Sequence, residues 1–215
     1  MTIMHHPSDV TLAAVASGTL DEARAVVVAT HISLCPRCQN AMRAFEHVGG
    51  TFLEAAAPAE MSAGALERAM ARLDSAAAPP AAAVEQRKPA GDEALPAPLR
   101  QYVMGRWRWV AGGLQLRPIQ IASDDDVKVF LLKGAPGTCL PRHRHGGTEW
   151  TCVFQGAFRD EHNRYGPGDF DEVDENVEHY QVVEEGMPCI CVMALQGGIK
   201  LQGWIGKLLQ PFIRI

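Results

Sequence analysis

No uninterrupted apolar run of eighteen or more residues occurs anywhere in the 215-residue sequence, so no segment reads as a membrane-spanning helix. The opening residues, MTIMHHPSDV, lack the charged stretch and the apolar core of a secretory signal. Positive charge is short as well. Twenty Lys and Arg against 25 Asp and Glu leave a formal charge of -5, which argues against direct nucleic-acid binding through a basic surface. There is no internal repeat. These absences lead to the expectation of a cytoplasmic protein, a setting where structural disulfides are rare. The six cysteines then read first as ligands, buried small residues or redox sensors.

A local scarcity divides the chain. Residues 76–98, AAAPPAAAVEQRKPAGDEALPAP, hold almost no bulky apolar side chain and many Ala and Pro. Such a segment cannot form a core and reads as an extended, semi-stiff linker. The expected organisation is a helical domain over 1–75, this linker, and a second domain over 99–215. The length is enough for each half to bury a core.

The first half has helical periodicity. Ser8 can cap a short helix carrying Val10, Leu12, Ala13 and Ala16. Thr19, with Glu22 three residues on, has the form of a capping box for a second helix presenting Leu20, Ala23, Val27 and Thr30. His31 falls in that helix's last turn. Pro36 suits the first turn of a new helix, so a break is expected at Leu34-Cys35, with a third helix from Pro36 to about His47. Gly49-Gly50 reads as punctuation. A fourth amphipathic helix is expected over Met61 to Leu73, completing a small α-bundle.

From Leu99 the periodicity changes. Segments 107–110, 114–121, 127–133, 149–154, 157–161, 169–173, 179–184 and 189–195 read as short strands separated by Gly, Pro and Asp turns. That number and spacing suggest a jelly-roll barrel, making the whole chain a multidomain α plus all-β protein. Within it, GTCLPRHRHGGTEWTCVFQG (Gly137 to Gly156) places His143 and His145 one residue apart, on one face of a strand. Glu149 follows a Gly-Gly-Thr turn and can return on the neighbouring strand. Two imidazoles and a carboxylate converging in this way suit a divalent transition metal. The spacing G-x5-H-x-H-x3-E-x6-G resembles the first motif of the cupin superfamily at every position. A fourth ligand is expected from a later strand. His179 is favoured over His162, which lies near a hairpin tip beside Asn163-Arg164.

In the helical half, His31, Cys35 and Cys38 form H-x3-C-x2-C around one helix junction. The amides opening the third helix help to stabilise the two thiolates. A closed tetrahedral zinc site needs one more ligand, for which His5, His6 and His47 compete. A histidine ahead of the first helix can fold back onto the junction, which favours His6. The alternative is a C-x-x-C redox pair, or two ordinary helix cysteines beside an unrelated histidine.

His6 ahead of H-x3-C-x2-C in a small helical domain resembles a zinc-binding anti-sigma domain. Followed by a cupin, it is similar to the ChrR family of anti-sigma factors, down to the closing KLLQPFIRI. The resemblance implies a protein that is not an enzyme. It implies restraint of an extracytoplasmic-function (ECF) sigma factor by the helical domain, and a cupin-like domain needed for release when singlet oxygen or organic hydroperoxides appear. It further implies Zn2+ on His6, His31, Cys35 and Cys38. A second metal, usually zinc, is implied on His143, His145, Glu149 and His179, a set that also suits iron, manganese or nickel.

The other reading is a cupin metalloenzyme, a dioxygenase or isomerase with a helical appendage, for which Glu161 and Glu178 are the candidate acid or base apart from the ligands, although strand edges carry such glutamates routinely. Cys189 and Cys191 point to one face of a strand. They read as core residues in preference to an oxidisable pair, as do Cys139 and Cys152. Trp107, Trp109, Trp150 and Trp204 read as packing residues, and Asp124 to Asp126 as a solvated turn.

Overall fold

The computed structural model describes residues 2–75, 95–121 and 127–201. Most of the expected linker, the acidic triplet Asp124 to Asp126, Trp204 and the closing KLLQPFIRI lie outside the described residues.

Four helices come first. Helix α1 (Asp9–Ala16) is capped as expected by Ser8, whose side chain accepts the Thr11 amide. Helix α2 (Glu22–Leu34) is capped by Asp21 and not by Thr19, with Asp21 Oδ1 accepting the Arg24 amide at 2.9 Å. Thr19 is otherwise engaged: its amide and hydroxyl both donate to the Ala14 carbonyl and close the end of α1. Pro36 opens helix α3 (Pro36–Ala55), which runs straight through Gly49-Gly50 instead of stopping near His47. A glycine inside a helix costs only about 1 kcal/mol relative to alanine, and neither residue takes a positive φ that would turn the chain. Helix α4 (Ala65–Ser75) starts later than expected because Gly64, at φ +72°, breaks the path just before it.

A 3-10 turn (Ala97–Gln101) then leads into eleven strands among the described residues. These are β1 (Arg108–Ala111), β2 (Leu114–Pro118), β3 (Val127–Gly134), β4 (Cys139–His145), β5 (Glu149–Gln155) and β6 (Phe158–Arg159). They continue with β7 (Arg164–Tyr165), β8 (Phe170–Val173), β9 (Glu178–Val183), β10 (Cys189–Gln196) and β11 (Ile199–Leu201). A six-stranded sheet has the order β1-β2-β3-β10-β5-β8, and a five-stranded sheet the order β11-β4-β9-β6-β7. All pairings are antiparallel, as in the expected jelly roll.

The central strands of the six-stranded sheet are covered on both faces. Along β10, Cys189, Cys191, Met193 and Leu195 point into the barrel and pack with Phe130, Val153, Phe158 and Val183. The alternating residues Val192 and Ala194 point outward and pack, with Val129, Leu131, Trp150 and Phe170, against Ala23, Val26, Val27 and Val28 of α2. Burial on both faces explains why β10 is apolar at nearly every position. Each α2 valine taken fully out of water contributes roughly 1.5–3 kcal/mol. Leu95, inside the expected linker, and Leu99, just beyond it, are buried in the same cluster. Arg24 fastens α2 further, donating to Thr148 Oγ1 at 2.9 Å and Gln196 Oε1 at 2.7 Å. The helical half therefore shares one core with the barrel.

Candidate metal centres

The first centre sits where α2 meets α3. His31 lies in the last turn of α2, Cys35 is the residue between the helices and Cys38 lies in the first turn of α3. The arm ahead of α1 brings in His6. One donor atom from each of His6, His31, Cys35 and Cys38 lies within 4.8 Å of all the others. His31 Nε2 is 3.1 Å from Cys38 Sγ, and His6 Nδ1 is 3.4 Å from Cys35 Sγ and 3.5 Å from Cys38 Sγ. Of the histidines that competed for the fourth position, His47 is exposed on α3, and His5 stacks on Tyr165 with ring centroids 4.5 Å apart. His31 Nδ1 donates to the Gly168 carbonyl at 2.6 Å, which fixes the tautomer and leaves the Nε2 lone pair facing the thiols. Sequence reasoning missed that carbonyl, since a backbone oxygen carries no residue signature.

The second centre lies between the two sheets. His143 and His145 project from β4, and His179 from the adjacent β9, directly opposite His143 in the register. Donor atoms of these three histidines lie within 4.8 Å of one another. Glu149, at the start of β5, comes from the facing sheet. Its carboxylate is 3.3 Å from His145 Nδ1 but stands outside the mutual cluster of the three imidazoles. His143 Nδ1 donates to the Pro141 carbonyl at 2.9 Å, leaving its Nε2 free. His145 Nε2 is 3.0 Å from His179 Nε2. His162 is exposed in the Asp160 to Asn163 turn, away from this centre.

Burial governs the electrostatics of both centres. It lowers His31 to about 4, against the opposing pull of the Gly168 carbonyl. It also lowers His143 to about 4 and His145 to about 3, and pulls His6 and His179 down. All these imidazoles are neutral at pH 7, the form that ligates metal. Burial pushes the Cys38 thiol up to about 12, with Cys35 adding to the rise, and the Glu149 carboxyl up to about 8. Both Glu149 oxygens and His145 Nδ1 are buried without a hydrogen-bond partner. Orphaned donors of this kind fit a divalent cation, which supplies the counter-charge that ionises thiol and carboxyl alike.

The remaining candidates separate by exposure. Cys152, Cys189 and Cys191 are buried core residues, but Cys139 is exposed at the start of β4 and is not core. Trp150 is a packing residue, whereas Trp109, on the edge strand β1, is 71% exposed. Glu161 and Glu178, the candidate acid or base of the enzyme reading, are ion-paired at 2.7 Å to Arg142 and 2.8 Å to Arg144. No helix among the described residues is long and apolar enough to cross a membrane.

Known proteins resemble this chain. Residues 101–197 match the family described as the ChrR Cupin-like domain. Across 100% of both chains the sequence is 41% identical to the anti-sigma-E factor ChrR of Cereibacter sphaeroides. A chain in the crystal structure of Rhodobacter sphaeroides SigE in complex with the anti-sigma ChrR superposes with a TM-score of 0.76 at 40% identity. That alignment covers 91% of this chain and 100% of the other. KdgF from Halomonas sp. is a looser likeness, 25% identical over 42% of this chain and 86% of that one, with a TM-score of 0.37. With helices, barrel and donor sets all inside one full-length alignment, the chain belongs to the ChrR family of anti-sigma factors.

Proposed function

We propose that this protein sequesters an ECF sigma factor through its helical half, in the cytoplasm and without contacting nucleic acid or membrane. Its release follows a response of the cupin-like half to singlet oxygen or an organic hydroperoxide. In this reading Zn2+ is held by His6, His31, Cys35 and Cys38, and ties the N-terminal arm to the α2–α3 junction. A second metal, zinc or else iron, manganese or nickel, is held by His143, His145, Glu149 and His179. The proposed division of labour is a sigma-binding unit over 1–75 and a sensor over 99–215, joined through 76–98.

The observation that supports sequestration is an apolar helical surface left open to solvent. On α4, Leu66, Met70 and Leu73 recur at helical spacing and are 67%, 52% and 71% exposed. Near the end of α3, Val48 and Phe52 are likewise exposed. Amphipathic helices bearing such stripes are suited to lie in the groove of a protein partner. The related ChrR crystallised with SigE, and a sigma factor is the partner of that kind which fits here. Leu12 does not belong to this surface, because it is buried in the core, and Val15 is half-buried against it. The binding face is therefore assigned to the end of α3 and to α4.

The test is a chain carrying both Leu66→Glu and Met70→Glu. These exposed positions should leave thermal stability almost unchanged. Capture of the sigma factor should weaken by about 100-fold or more, since each buried charge removes a central apolar anchor. Undiminished capture by this folded variant would overturn the assignment.

A further inference from the structure

The arm carrying His6 meets the barrel at one turn, Gly166–Asp169, between β7 and β8. Asp169 is buried, and its Oδ1 accepts the amides of Met4 at 2.7 Å and His5 at 2.9 Å. Its Oδ2 accepts the Gly166 amide at 2.8 Å, bracing the turn itself. The Phe170 amide donates to the His5 carbonyl at 3.1 Å. One residue back, the Gly168 carbonyl accepts His31 Nδ1–H at 2.6 Å. On its inner side the turn is bonded to β5, through the Gly168 amide to Val153 O at 2.8 Å and the Val153 amide to Asp169 O at 3.1 Å. Gly168 has φ +91°, a conformation that side-chain-bearing residues rarely adopt, and a Cβ there would run into the Ile3 side chain of the arm.

Two of the four donors in the helical centre are thus oriented from the β half. His31 has its tautomer and ring plane set by Gly168 O. His6 follows His5, whose amide and carbonyl are both tied to the turn. We propose that Asp169 and the Gly168 carbonyl are positioning groups of the helical metal centre, so that this turn slows the loss of its metal. The inference rests on reading His6, His31, Cys35 and Cys38 as a metal site. Hydrogen bonds to a carboxylate are the stronger kind, and outer partners of ligating histidines change metal affinity by about 10- to 100-fold when removed.

Cobalt gives a readout specific to this centre. In the full chain loaded with Co2+, thiolate-to-cobalt charge-transfer absorption arises from Cys35 and Cys38, because the other donor set holds no thiolate. Decay of that band after mixing with EDTA reports metal release. Asp169→Ala should accelerate the decay by about 10- to 100-fold, and Gly168→Ala should do the same by displacing Ile3. Thr11→Val is the control. It removes the Thr11 Oγ1 bonds to Glu172 at 3.0 and 3.1 Å, at the same helix–barrel contact but away from the turn. Its decay should stay within about two-fold of the parent. Unchanged decay in Asp169→Ala and Gly168→Ala, or equal acceleration by Thr11→Val, would overturn the inference. If the parent chain shows no charge-transfer band, the metal reading itself fails and the inference falls with it.

Discussion

Glu149→Gln should stabilise the metal-free chain and weaken the metal-loaded one. Glu149 is 1% exposed, neither oxygen has a hydrogen-bond partner, and burial raises its carboxyl from 4.5 to about 8. Near pH 7.5 the unfolded chain has released this proton and the metal-free folded chain must take it up again. Three pH units above the ordinary value correspond to about 4 kcal/mol of lost stability. Because the folded pKa is the higher one, the full contribution of this group is present below pH 4.5 and is lost as pH rises through about 8. Glutamine keeps the shape and removes the titration. In EDTA at pH 7.5 the variant should therefore be the more stable by up to about 4 kcal/mol, with the gap closing toward pH 4.5. His143 and His145 are shifted downward, so their contributions are present above 6.5 and lost as pH falls through about 4 and about 3. Those losses fall below about pH 6.5, outside the comparison made at pH 7.5. On the proposed ligation by Glu149, losing the carboxylate makes the variant the less stable chain once metal is bound. Urea unfolding followed by tryptophan fluorescence, in EDTA and in saturating zinc, measures both arms. A glutamine variant less stable than its parent in EDTA at pH 7.5 would refute the reasoning.

Three further outcomes are expected. Val27→Ala, at a fully buried position between α2 and the sheet, should destabilise the chain by about 2 kcal/mol. Calorimetry should show this as a downward shift of one shared transition, and a shift confined to one of two separate transitions would contradict the common core. Cys35→Ser and His143→Ala should each reduce bound zinc from two per chain to one, read by metal analysis after gel filtration. His47→Ala and His162→Ala, at exposed positions, should leave the zinc count at that of the parent.

Much of the candidate site was legible because the spacing of donor residues maps directly onto backbone period. His-x-His on a strand put two imidazoles on one face, and His179 arrived opposite His143 through strand pairing. Ser8 and Pro36 marked helix starts for local reasons that tertiary contacts did not override. Thr19 failed as a cap because a competing acceptor, the Ala14 carbonyl, claimed it. Cys139 and Trp109 were misplaced because alternation does not reveal which strand ends or edges lie open. The shared core was the larger loss. Residues 189–195 form a near-continuous apolar strand, a pattern that signals burial on both faces, yet the cysteine alternation drew attention to one face alone. Backbone partners such as Gly168 O had no residue code to read.

The central claim is sequestration of a sigma factor, and co-isolation tests it most directly. The full chain would be tagged in its native host, isolated without oxidant, and whatever elutes with it identified and quantified. The account predicts a stoichiometric ECF sigma factor that departs when the metal is chelated. A chain that emerges alone while fully metal-loaded would contradict it.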